Sequence, residues 1–229
     1  MARTKKSTSE KESFQSVGNT VSKVENFVEN KQKIIIYILI GILVVVLGIL
    51  AYNNFIRKPR VQNAWTEAYQ AEYYFEKDSF NLALNGDIEN LGFLDIIDEY
   101  GSTPMGNAAK YYAGVCYMRL GDFESALSVL KSFNSKDPAV GPQGEALIGD
   151  AYVELGELDK AVKQYLKAAE KASNEFLSPE YLMKAGRTYE LLNNYKKALE
   201  VYQRIEKEYY GTQQQRDIEK FIERAKMNL

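Results

Sequence analysis

Histidine is absent from the 229-residue chain, and cysteine occurs once, at Cys116. The first absence removes the commonest general base, any Ser-His or Cys-His dyad and the commonest metal ligand. The second excludes an intrachain disulfide and leaves the redox compartment unassigned. Gly-rich phosphate loops, paired-cysteine metal spacing and nucleophile motifs are also missing. Acidic groups such as Asp95 with Asp98 and Glu99, or Glu154 with Glu157, read as solvated faces of amphipathic helices rather than acid–base machinery. The expectation is a protein that is not an enzyme and holds neither cofactor nor metal.

What is present begins with Ile34 to Tyr52, IIIYILIGILVVVLGILAY, a run without a charge, an amide or a proline. As a helix it spans about 28 Å, close to the hydrocarbon thickness of a bilayer. A signal peptide would have an apolar run of about 7 to 15 residues after a short basic start. Here the whole of 1–33 precedes the run, and Ile49 rather than a small residue stands two before Ala51. The reading is one transmembrane helix over 34–56 that stays as an anchor, with a tail over 1–33 on one side and a domain over 57–229 on the other. Gly41 and Gly48 lie seven apart on one face and could admit a neighbouring helix, although glycine is common in such segments.

The net charge of −2 conceals an asymmetry. Residues 1–33 carry seven basic and four acidic residues, and Arg57, Lys58 and Arg60 follow the anchor. Residues 61–229 carry 19 basic and 27 acidic residues, a net −8, which repels phosphates and excludes a non-specific nucleic-acid binder. Close to the anchor the basic counts tie, but the whole tail is basic-biased, so the N-terminus is placed inside. In the tail, Phe14, Val17, Val21, Val24 and Val28 form one apolar stripe at spacings of 3, 4, 3 and 4. Two readings stay open: an amphipathic helix lying on a membrane or partner, or a marginal helix that leads into the anchor.

Beyond Pro59 the pattern is helical and repetitive. Three stretches begin at Asn107, Gly144 and Tyr181, and each has a Gly, an aromatic three residues on, a Leu, a turn, an Ala and a bulky residue four further. The sets are Gly114, Tyr117, Leu120, Phe123, Ala126, Leu130; Gly149, Tyr152, Leu155, Leu158, Ala161, Tyr165; and Gly186, Tyr189, Leu192, Tyr195, Ala198, Tyr202, with periods of 35 and 37. The turns LGDF, LGEL and LNNY break the helices. Gly and Ala are expected where two helices approach most closely, and the aromatics in the gaps between them. This resembles the tetratricopeptide repeat, a helix-turn-helix of about 34 residues. Pro138 stands where the family puts a terminal proline; Ser173 and Tyr210 stand there in the next two repeats.

The expected fold class is all-α: a single N-terminal transmembrane helix, then a short right-handed solenoid of nine or so helices. Repeats are read at about 107–140, 142–175 and 179–212. A degenerate repeat over 60–106 would have a helix from Val61 to Glu76, a linker around Asp78–Gly86 and a helix over Leu91–Tyr100. A capping helix is read at 213–227. Cys116 reads as a small core residue, and Tyr73, Tyr74, Tyr111 and Tyr112 as candidates for exposure to partners.

The working surface is expected on the concave face, lined in this family by the first helix of each repeat. Carried over, it comprises Tyr111, Val115, Met118 and Arg119; Ala146, Asp150, Val153 and Glu154; and Met183, Arg187 and Glu190. These positions lie opposite the Gly and Tyr that pack each hairpin. The lining is mixed and lacks a Lys/Arg cluster for a terminal carboxylate, so an extended or helical peptide with apolar content is expected. The competing reading is that the chain's own terminal helix fills the groove.

The whole plan resembles the ancillary SecYEG translocon subunit family, the YfgM-like proteins. The stretch NLALNGDIENLGFLDIIDEYGSTPMGNAAKYYAG, Asn81 to Gly114, is similar to the form in Bacteroidota members, where a degenerate hairpin precedes the recognisable repeats. The resemblance implies a single-pass bacterial inner-membrane protein with a cytoplasmic N-terminus and a periplasmic repeat domain. It also implies association with the SecYEG translocon, a PpiD-type periplasmic chaperone and translocating chains, with no catalytic residues. The alternatives are a membrane-anchored docking receptor for a protein-import complex, or a scaffold for another envelope assembly.

Overall fold

The computed structural model describes residues 32–34 and 36–229, and the apolar stripe from Phe14 to Val28 lies outside the described residues. The chain divides into two units, Met1–Pro59 and Arg60–Leu229.

In the first unit residues 36–52 form helix α1, followed by a π-helical turn, Asn53–Arg57. The side chains along α1 are exposed, Tyr37 by 71% and Val44 by 63%. Among the described residues this is the one stretch long and apolar enough to cross a membrane. A Cβ placed on Gly41 or Gly48 would meet nothing within 4 Å.

The second unit is helical. Its elements are α2 (Lys58–Glu76), α3 (Phe80–Asn85), α4 (Phe93–Tyr100), α5 (Pro104–Leu120), α6 (Phe123–Ser132), α7 (Val140–Glu154), α8 (Leu158–Ala172), α9 (Ser178–Leu191), α10 (Tyr195–Glu208), α11 (Gln213–Arg216) and α12 (Ile218–Met227). Local chemistry sets several ends. Thr103 caps α5 by accepting from Gly106 N–H at 3.0 Å, with Pro104 at the first position. Gly121 closes α5 in the left-handed region at φ +79°, and Gly156 and Asn193 do the same after α7 and α9 at +73° and +54°. Asp122 and Asn194 then cap α6 and α10.

Helices α5–α6, α7–α8 and α9–α10 pair as three antiparallel hairpins, and each packs on the next, with α12 closing the stack against α10. The glycine in the first helix of each hairpin faces a bulky residue of the second. A Cβ on Gly149 would sit 2.6 Å from the Tyr165 ring, and one on Gly114 or Gly186 would overlap Leu130 or Tyr202. Ala126, Ala161 and Ala198 are fully buried at the same crossings. The glycine is what lets a large side chain from the second helix press onto the backbone of the first. One core runs through α6–α12 and another through α2–α5, and Tyr117 packs against both.

Two expectations are corrected. The stretch read as a linker contains α3. Its Ala83 and Leu84 are buried, and Phe80 meets Phe75 edge-on at 5.8 Å, which makes this short turn part of the core. The terminal helix is not continuous over 213–227: it breaks at Asp217, and Thr212 caps the first piece through Gln215 N–H.

Candidate partner-binding groove

The first helices of the three hairpins, α5, α7 and α9, carry the residues expected to line a groove. The structure places them in three different situations. Tyr111, Val115 and Met118 on α5 and Val153 on α7 are half-buried, while Arg119 and Glu154 are exposed. Arg119 lies over the Phe80 ring at 6.0 Å. Ala146 is 4% exposed and belongs to the core, where it cannot contact a ligand. Asp150 is tied up internally: it accepts the Tyr165 hydroxyl at 2.6 Å and pairs with Lys184 of α9 at 2.7 Å.

The third hairpin is covered at one side by the chain's own end. Arg224 of α12 makes a two-pronged bond to Glu190, at 3.1 and 2.6 Å, and Arg187 and Arg224 both lie against the Phe221 ring. Met183, 7% exposed, forms the floor of a 290 Å³ cleft between α9 and the terminal segments. Of the residues expected to line the groove, Arg187 and Glu190 are thus engaged by side chains of the terminal helix.

A larger cleft of about 580 Å³ opens where α2, α5 and the start of α7 meet. Trp65, Tyr111, Tyr112, Phe133 and Val140 supply most of its apolar wall. The aromatics are held rather than loose. Tyr112 stacks on Phe93 at 5.0 Å and 10° and meets Phe75 edge-on at 5.1 Å. Tyr111 rests on Phe133 at 5.6 Å and donates its hydroxyl to Gln143 Oε1 at 3.2 Å. Burial raises the phenol pKa of both tyrosines, so the cleft presents neutral rings. At the rim, Asp137 accepts from Ala139 and Val140 N–H at 2.8 and 2.9 Å, which lowers its carboxyl pKa and keeps it anionic. Among the described residues no group of His, Cys, Asp and Glu is placed to hold a metal.

Two family models described as tetratricopeptide repeat match the chain, one over residues 108–139 and the other over 147–210. The chain carries tetratricopeptide repeats. Solved structures agree on the fold of these repeats. The nearly identical TPR-like repeats of a Podosopora anserina chain designated a kinesin light chain superpose with a TM-score of 0.54 at 12% identity, covering 72% of this chain and 86% of that one. The MamA protein superposes with a TM-score of 0.53 at 16% identity, covering 72% and 91%. No curated protein matches the sequence.

Tetratricopeptide repeats present concave surfaces to other proteins, and the family matches point to no enzyme. Sequence reasoning placed Tyr111 in the groove but did not find Trp65, Phe133, Val140 or Gln143 there. A signal for Gln143 was available: it stands six before Gly149, as Ala108 stands six before Gly114. Trp65 carried no repeat register, and Phe133 and Val140 flank an irregular segment whose path local periodicity does not encode.

Proposed function

We propose that this protein is a membrane-anchored, non-catalytic tetratricopeptide-repeat scaffold. In this reading it serves as an ancillary subunit of a SecYEG-type translocon, with its repeats in the periplasm. The apolar helix α1, exposed along its length, supports the anchor. The net −8 over residues 61–229 supports a soluble domain that repels nucleic acid. The observation that carries the binding role is the aromatic cleft across α2, α5 and α7, which takes in Tyr111 of the expected groove and no residue of the terminal helix. Large aromatics in a preformed concavity are the side chains from which protein interfaces draw most of their affinity.

The translocon assignment rests on the anchor-first plan and on the Asn81–Gly114 stretch. The anchor holds the cleft close to the exit of a channel, where tethering gives an effective concentration on the order of millimolar and weak contacts suffice. A PpiD-type chaperone or an emerging chain then docks in the cleft. Photo-crosslinking from Tyr111 and Glu154 in native membranes tests this reading. Adducts to the translocon, to a membrane-anchored chaperone or to newly exported chains are expected. Adducts confined to cytosolic proteins, together with protection of the repeats from externally added protease, would overturn it in favour of a docking receptor facing the other side.

A further inference from the structure

A solvated helix face is normally charged, and α8 obeys that rule. All its exposed residues from Asp159 to Lys171 are ionic: Asp159, Lys160, Lys163, Lys167, Glu170 and Lys171. Helix α2 does not obey it. Its inner face holds Ala64, Ala68 and Ala71, which are fully buried. On the opposite face Gln62, Thr66, Tyr69 and Tyr73 follow at spacings of 4, 3 and 4, and all four are exposed, Tyr69 by 69%. This outer seam runs for about three turns without a charge. Spacings of 3 and 4 are those at which one helix packs along another. A charge-free strip bearing tyrosines has the composition of an interface core.

The seam lies in the acidic part of the domain. Residues 61–106 contain nine acidic residues and one basic residue, Lys77, whereas residues 107–229 contain 18 of each. Among the described residues every ion pair falls in the second stretch, so the nine carboxylates of the first have no salt bridge. At about 3.6 residues per turn, Glu72 and Glu76 stand on one flank of the seam and Glu67 towards the other. On Glu67's side Tyr74 also holds Asp87 by its hydroxyl. Two cations stand at the ends of α2. Arg60 donates to the Glu99 carbonyl, and Lys77 lies over the Tyr73 ring at 5.7 Å. Nine carboxylates against one ammonium repel one another, and a cationic partner relieves that repulsion. A second copy of the chain would double it.

Taking the scaffold reading as its basis, we infer that the outer face of α2 docks a helix of a partner protein that carries Lys or Arg on both sides of an uncharged strip. The strip packs along Gln62, Thr66, Tyr69 and Tyr73. The flanking cations meet Glu72 and Glu76 on one side and Glu67 and Asp87 on the other, and they also gain from the tyrosine rings. The same carboxylates repel an acidic helix.

The test uses the full chain in nanodiscs of zwitterionic lipid. The probe is a dye-labelled helical peptide with a leucine seam between lysines, and its pair has glutamates in place of the lysines. Fluorescence polarisation is expected to show the lysine peptide binding at least about tenfold more tightly than its pair. E67Q/E72Q/E76Q is expected to weaken that binding about tenfold, and so is Y69A/Y73A, which leaves the charge unchanged. E124Q/E175Q/E206Q removes as much charge from exposed positions of the repeats and should change it by less than about twofold. Equal binding of both peptides, equal weakening by the two glutamate triples, or no loss in Y69A/Y73A would overturn the inference. So would a photo-reactive group at position 69 that joins two copies of the chain rather than chain and peptide. Cross-links from Tyr111 and Glu154 to the translocon or chaperone, alongside equal binding of both peptides, would sink this inference alone and leave the scaffold role standing. The full pattern of peptide binding without those cross-links would keep the inference and remove the translocon.

Discussion

Asp150 on α7 and Lys184 on α9 form an ion pair of 2.7 Å that crosses from one hairpin to the next. Asp150 also accepts the hydroxyl of Tyr165, the residue that presses on Gly149 in its own hairpin. A single carboxylate thus joins the packing inside a repeat to the packing between repeats. Its nearness, with burial as the larger cause, raises the phenol pKa of Tyr165, which stays protonated and able to donate.

Asp150→Ala is expected to destabilise the repeat domain by about 1–2 kcal/mol, because it leaves a buried phenol without an acceptor; the ammonium, about a third exposed, can rehydrate. Lys184→Met should cost less, since Asp150 keeps Tyr165. Urea unfolding of the two single variants and the double variant, read as a cycle, measures the coupling. A cost for Lys184→Met equal to that for Asp150→Ala would remove Tyr165 from the account.

Gly149→Ala and Gly186→Ala are expected to cost about 1–3 kcal/mol each, because the new methyl group meets the rings of Tyr165 and Tyr202 in an already filled core. Pairing Gly186→Ala with Tyr202→Leu, which copies the Gly114–Leu130 arrangement only in size, should recover part of that loss. Thermal melts by circular dichroism check this, and equal stability of all variants would contradict the contact.

Those glycines show what the sequence made legible. Gly114 precedes Leu130, Gly149 precedes Tyr165 and Gly186 precedes Tyr202 at one and the same offset. A constant offset between a small and a large residue is the imprint of a repeated helix crossing. The crossing follows from local periodicity, so the hairpins could be read in advance. Phe80–Asn85 was not readable in this way. So short a segment cannot show a helical period, and Phe80 and Leu84 are inward only because Phe75 and α5 stand nearby. The groove was legible in register but not in burial. Ala146 and Met183 occupy lining positions of the repeat, yet neighbouring helices close over them. Arg187 and Glu190 are engaged by Phe221 and Arg224 through contacts between segments far apart in the chain, which periodicity does not reveal.

Cys116 is fully buried, and burial pushes its thiol pKa up to about 12. The thiolate is the reactive form, so the native protein is expected to resist maleimide at neutral pH and to label fully once unfolded in urea. Rapid labelling of the folded chain would mean that the core around α5 opens readily.

Asp87 gives the last prediction, about acid. Its carboxylate accepts the Tyr74 hydroxyl at 2.5 Å, the Glu89 and Asn90 backbone N–H groups at 2.8 Å each, and the Asn90 side chain. Led by the Tyr74 bond, these hold its pKa at about 2, below the ordinary value of 3.8. The ionised form is favoured by the folded loop, so its stabilisation is fully present above pH about 3.8 and is lost as pH falls through about 2. Gly86 and Gly92 close the same loop so tightly that a Cβ on either would strike backbone, which leaves the loop few other conformations. Amide exchange at Glu89 and Asn90 is therefore expected to accelerate, relative to the hairpins, between about pH 3.8 and about pH 2. Asp87→Asn keeps part of the hydrogen bonding but cannot ionise, so its exchange should be faster at neutral pH and nearly flat across that interval. An acid-insensitive loop in the wild-type chain would show that Asp87 does not hold it.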